Sequence, residues 1–162
     1  MIIKVQIQPY DILLYKGASI IAKAIQFVTK SEYSHCAISL NEDFHLAEAL
    51  DKGIMITHLQ DLPSGYDVYR YKETLTNEQK DKLHEFILLK VSTKYNYEEI
   101  FAELLHKELG LHIPVVDGKL ICSQFVYMAY LYCGIELLPN FKDCIVSPAD
   151  LSKSELLVKV NK

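Results

Sequence analysis

The spacing of apolar residues changes character about halfway along the chain. Residues 11–15, Asp-Ile-Leu-Leu-Tyr, form a short apolar run with the length and composition of a buried strand. Gly17 separates it from residues 18–29, where Ile21, Ala24, Ile25 and Val28 recur on one side of a helix. Two apolar-rich runs, residues 33–40 and 45–50, flank the polar break Asn41-Glu42-Asp43-Phe44, which suits a hairpin turn. Residues 53–57 and 66–71 read as further strands.

Beyond this point the period becomes helical. Thr76-Asn77-Glu78-Gln79 is a capping box, with Leu83, Phe86, Ile87 and Lys90 at helical spacing behind it. A second helix is predicted over residues 97–109 from the stripe Ile100, Phe101, Leu104 and Leu105, with Gly110 as its C-cap. A third begins near Cys122, after the turn-forming Asp117-Gly118, and carries Phe125, Val126, Ala129, Tyr130 and Cys133 on the side of Cys122. A loop containing Ser147-Pro148-Ala149-Asp150 leads to a short apolar end, residues 156–160, expected to return to the sheet. Strands gathered first and helices later predict an α+β fold, an antiparallel β-sheet packed against helices. With no internal repeat, low-complexity tract or linker, a single domain over residues 1–162 is expected.

Composition narrows the functions. In 162 residues and 18.6 kDa, half are hydrophobic and 23% charged, enough apolar material for a core. The net charge of −4 and pI near 5.8 provide no basic face, which argues against nucleic-acid binding. No uninterrupted apolar run approaches the ~18–20 residues of a membrane span, so none is predicted, and lipid contact is confined to the surface. The first eight residues alternate apolar and polar into Pro9, without the features of a signal peptide, and a cytoplasmic location is expected. Cys36, Cys122, Cys133 and Cys144 follow no CxxC spacing, and no HExxH or HxxxH occurs. Reduced thiols, no metal and no cofactor are therefore expected, and no pattern in the chain speaks to its oligomeric state.

The hairpin makes a geometric claim. Side chains alternate along a strand, so His35, Ala37 and Ser39 share one face. An even loop centred between Glu42 and Asp43 pairs Leu40 with His45, sets Ala37 opposite Glu48 and leaves Glu48 diagonal to His35. Diagonal neighbours lie roughly 7–8 Å apart at Cα, a gap that a glutamate and an imidazole can close. An odd loop would put the two on opposite faces. Cys122 falls at a helix start, where unpaired amides and a positive potential favour the thiolate and can hold an oxyanion. Spacing alone equally allows a core thiol at Cys122, a core or edge histidine at His35 and a solvated Glu48. Asp117 and Asp150 compete with Glu48 for the role of orienting the base, although turn formation and capping explain both more simply. His45, His58, His84, His106 and His112 read as surface or loop residues.

Several segments carry a family resemblance: Tyr10-Asp11-Ile12-Leu13-Leu14, Ser34-His35-Cys36-Ala37, Glu48-Ala49, Lys94-Tyr95-Asn96-Tyr97, Cys122-Ser123-Gln124-Phe125-Val126 and Ser147-Pro148-Ala149-Asp150. In their residues and order the chain resembles the circularly permuted branch of the NlpC-type papain-like superfamily, with its YiiX-like bacterial proteins and poxvirus relatives and, more distantly, lecithin–retinol acyltransferase. The resemblance implies a permuted papain-like fold with the nucleophile Cys122 at a helix N-terminus, His35 as base and Glu48 as the third polar residue. It offers Tyr95 or Tyr97, and Ser123, as oxyanion or substrate contacts. Tyr10 stands where relatives usually have glycine, Gln124 where many have glutamate and Asn96 where the usual residue is aspartate. The implied activity is a thiol hydrolase acting on an amide bond of a peptide or cell-wall-type fragment. Lipid acyl transfer or deacylation with the same triad is the alternative, and a non-catalytic binding module the third reading.

Overall fold

The structure, a computed structural model, describes residues 6–19, 22–23, 26–27, 30–50, 53–60, 64–92, 122–139, 141 and 146–161. Strands β1 (Ile12–Tyr15), β2 (His35–Ser39), β3 (His45–Leu50), β4 (Gly53–His58), β5 (Tyr66–Tyr71) and β6 (Leu157–Lys159) form one six-stranded sheet in the order β4-β3-β2-β1-β5-β6. Every neighbouring pair is antiparallel. Helices α1 (Asn77–Ser92), α2 (Cys122–Tyr132) and α3 (Pro148–Ser152) complete the described elements. The fold is therefore α+β, with the antiparallel sheet expected from the sequence. Within residues 18–29, the described positions Ala22, Lys23, Gln26 and Phe27 are helical. The helix expected over residues 97–109 lies outside the described residues.

Strand β1 is central, and its unbroken apolar run follows from burial on both faces. Ile12 and Leu14 join Cys36, Ile38, Ala47 and Tyr69 under the helices, while Leu13 packs with Ala37, Leu46, Val68 and Ile7 on the other face. The edge strand β4, by contrast, is largely exposed. Helix α2 is buried from Cys122 through Tyr130, the mark of a helix wedged between layers. Its Phe125 stacks on Phe86 of α1 with ring centres 6.0 Å apart.

Local signals account for the element ends. At the start of α1, Gln79 N–H donates to Thr76 Oγ1 and Thr76 N–H to Gln79 Oε1, closing the expected capping box. Ser147-Pro148-Ala149-Asp150, expected as loop, instead opens α3: Ser147 is the N-cap, Pro148 sits in the first turn and Asp150 returns the capping bond. The C-terminal apolar segment does return to the sheet, as β6 paired with β5. Asn161 then imitates a strand, accepting Val68 N–H and donating to Tyr66 O.

Tyr10 explains why glycine suits its position, since its φ of 71° lies in the left-handed region. Its N–H donates to Ser39 O and its carbonyl accepts from Tyr130 hydroxyl, both at 2.8 Å, which holds the turn in a conformation that costs roughly 1–2 kcal/mol. Next to it Asp11, 2% exposed, takes a two-pronged bond from Arg70 at 2.8 and 2.7 Å and a third bond from Gln8 N–H. Asp11→Ala leaves these donors unpaired. Its expected cost in urea unfolding is about 3 kcal/mol, the low end for breaking a buried ion pair because Arg70 keeps some water contact; a loss under about 0.5 kcal/mol would contradict this role.

Candidate active site

The β2–β3 hairpin fixes the site. Leu40 N–H donates to His45 O, and Ile38 pairs with Ala47 and Ser39 with Leu46. The loop Asn41–Phe44 is thus even, and extending the register sets Glu48 opposite Ala37 and diagonal to His35. The side chains close that diagonal, with His35 Nε2 lying 2.6 Å from Glu48 Oε2.

The pairing of β2 with β3 stops at Ile38 and Ala47, so the two strands part towards His35. Helix α2, packed on both strands, places Cys122 at this opening. Its sulfur there receives the thiol and the backbone N–H of Cys36 and the imidazole of His35. With Nε2 turned to Glu48, Nδ1 is the ring nitrogen left for Cys122. By parity His35 belongs to the opposite sheet face from Cys36, yet Cys122 meets both, beside the unpaired ends of β2 and β3.

These contacts bias the protonation of all three groups. The hydrogen bond from the Cys36 thiol leads, joined by those from His35 and the Cys36 N–H, and together they outweigh burial and hold the Cys122 thiol well below its usual pKa. Burial favours a neutral imidazole, but hydrogen bonds to Cys122 and Glu48 outweigh it and raise His35 to about 10. Burial would also raise Glu48, yet its bonds with His35 and Thr57 leave it lowered. All three shifts favour the charged forms: thiolate, imidazolium and carboxylate. The helix start was the expected source of thiolate stabilisation, whereas the leading donors come from β2.

Thr57 is a member of this line that the sequence reading missed. Its hydroxyl donates to Glu48 Oε1 at 2.5 Å, so both carboxylate oxygens are held. Glu48 pairs with Met55 across β3–β4, which makes Thr57 its diagonal neighbour; the parity argument used for His35, applied to the next hairpin, would have found it.

Other expected residues lie elsewhere. The Ser123 side chain is fully buried and donates to Val146 O at 2.6 Å, so it ties α2 to the segment before α3. Gln124 accepts Val146 N–H and serves the same purpose. Asp150 is spent on its capping box. His45 and His58 are strand residues rather than loop, facing each other across β3–β4 with ring centres 4.6 Å apart, and His84 is exposed on α1. Tyr95, Tyr97, Asp117, His106 and His112 lie outside the described residues. Among the described residues, no group of three or more His, Cys, Asp and Glu side chains is placed to hold a metal ion. No helix among them is long and apolar enough to cross a membrane.

No protein-family model matches the chain, and no curated protein sequence matches it. Among solved structures it is similar to the crystal structure of metalloprotein YiiX from Escherichia coli O157:H7, with a TM-score of 0.68, 23% sequence identity and 98% of each chain covered. The two share a fold over nearly their whole length.

The lowered thiol pKa fixes a sign. Thiolate persists as pH falls until the folded pKa of Cys122 is reached, while a thiol of ordinary pKa, about 8.5, is under about 1% thiolate at pH 6. Iodoacetamide at pH 6 is therefore expected to label Cys122 ahead of the other cysteines, read by mass spectrometry. Thr57→Val, which keeps the volume and removes the hydroxyl, is expected to slow that labelling about three- to tenfold, with Thr57→Ser near wild type. An unchanged rate in Thr57→Val would remove Thr57 from the line.

Proposed function

We propose that this chain is a cysteine hydrolase of the permuted papain-like, NlpC-type fold that cleaves an amide bond through Cys122, His35 and Glu48. The observation that carries the reading is the hydrogen-bonded line of Cys122, His35 and Glu48. Its support from comparison is the fold shared with YiiX, and the His-bearing strand preceding the Cys-bearing helix fits the permuted order.

In this mechanism the proton of Cys122 already rests on His35, so the first act of His35 is that of an acid. The thiolate attacks the carbonyl carbon, and the carbonyl oxygen takes the negative charge against the free amides at the start of α2. Collapse breaks the C–N bond as the imidazolium delivers its proton to the departing amine. The now neutral ring takes a proton from water, the resulting hydroxide attacks the thioester, and the acid product leaves with thiolate and imidazolium restored. Glu48, held by Thr57, keeps Nε2 occupied and Nδ1 directed at the sulfur. Because an amine leaves only once protonated, a resting imidazolium suits an amide better than an ester.

YiiX is described as a metalloprotein. Cysteine, histidine and glutamate are metal-ligand types, but here they are turned on one another, and a metal taking both His35 Nε2 and Glu48 Oε2 as ligands would have to displace the 2.6 Å bond between them. The arrangement fits a proton relay better than a ligand set.

On a panel of fluorogenic aminoacyl and peptidyl amides, kcat/KM is expected to fall at least about 10³-fold in Cys122→Ala and His35→Ala, and less in Glu48→Gln. Turnover that survives Cys122→Ala would sink the thiol mechanism. Turnover of acyl esters with none of amides would move the assignment to deacylation.

A further inference from the structure

The mechanism leaves one nucleophile of the site unused. Cys36 follows His35 directly on β2, is fully buried on the helix face of the sheet, and directs both its thiol and its backbone N–H at the sulfur of Cys122. Cys133, at the far end of α2, bonds instead to Tyr130 O at 3.0 Å. It is removed from Cys122 by about 16 Å at 1.5 Å per helical residue. Among the described residues Cys36 is thus the thiol beside the nucleophile.

We propose that Cys36 and Cys122 form a thiol–disulfide modification site, in which Cys36 traps the oxidised nucleophile as a reversible disulfide. The proposal rests on the reading of Cys122 as a thiolate. A hydroperoxide is the oxidant: Cys122 sulfur attacks its outer oxygen, the O–O bond breaks, and Cys122 becomes the sulfenic acid while the other oxygen leaves as hydroxide or alkoxide. Cys36 sulfur then attacks the Cys122 sulfur. The S–O bond breaks, and the hydroxide released takes the Cys36 proton to leave as water. A dithiol reductant restores both thiols by exchange.

The site supplies its own timing. In the resting state burial, reinforced by the adjacent Cys122 thiolate, keeps Cys36 protonated. Oxidation turns that thiolate into a neutral sulfenic acid, which removes the negative charge beside Cys36 and eases loss of its proton exactly when it must attack. The disulfide takes the nucleophile out of its pair with His35, so activity stops, and it spares Cys122 from irreversible sulfinic and sulfonic acids.

The test treats the full chain with hydrogen peroxide, maps the products by mass spectrometry, then adds dithiothreitol and measures iodoacetamide labelling of Cys122. Wild type is expected to form a Cys36–Cys122 disulfide and to regain nearly all of its labelling. Cys36→Ser and Cys36→Ala are expected to accumulate two or three oxygens on Cys122 and to regain less than about a tenth. Wild type that accumulates those acids as fast as the variants, or a disulfide from Cys122 to Cys133 or Cys144, overturns the proposal. If the variants fail to fold, the disulfide mapped in wild type decides alone. Labelling of untreated Cys122 at pH 6 separates the two claims: selective labelling without the disulfide defeats only this inference, and absence of labelling defeats the thiolate reading as well.

Discussion

The site depends on a single cross-strand contact, the 2.6 Å hydrogen bond between His35 and Glu48. It exists because the β2–β3 loop is even, which places both side chains on one face of the sheet. A slip of one residue would carry Glu48 to the other face and leave the imidazole without its carboxylate. The register is secured from beyond the hairpin. Leu46 and Ala37 are committed to one core and Ile38 and Ala47 to the other, so a slip would expose two apolar sets at once.

The same hairpin also has to open. Were β2 and β3 paired along their whole length, the Cys36 N–H would be spent on the ladder and His35 screened from the helix side. The strands instead part beyond Ile38, and Cys122 uses the donors the ladder gives up. Helix α2 can bring a buried sulfur there because it is fastened along its length: Ser123 and Gln124 grip Val146, and Tyr130 grips the carbonyl of Tyr10. Packing thus sets position, and position sets charge. The thiolate form is favoured chiefly by groups on a strand.

The sequence discloses what local periodicity and turn chemistry control. Strand alternation and the polar break at Asn41–Phe44 are enough to place Glu48 beside His35, and the capping box at Thr76–Gln79 marks the start of α1. Ser147-Pro148-Ala149-Asp150 was expected as loop, yet the capping expected as the simpler role of Asp150 is the one it has, at the start of α3. What depends on three-dimensional approach was not legible. Nothing in the spacing shows that Cys36 faces Cys122, since their contact exists only where α2 meets the parted strands. Ser123 looked like a site residue because it follows Cys122, yet one step around a buried helix turns it away, into Val146.

The measurement that bears most directly on the account is the protonation state of His35, read from the nitrogen-15 resonances of its imidazole across pH in wild type and in Cys122→Ser. The account predicts a ring protonated on both nitrogens at neutral pH that loses its proton only near pH 10, and a marked fall in that pKa once the thiolate is replaced by a hydroxyl. A neutral His35 at pH 7 in wild type, or a titration indifferent to Cys122, would contradict the thiolate–imidazolium pair at the centre of the site.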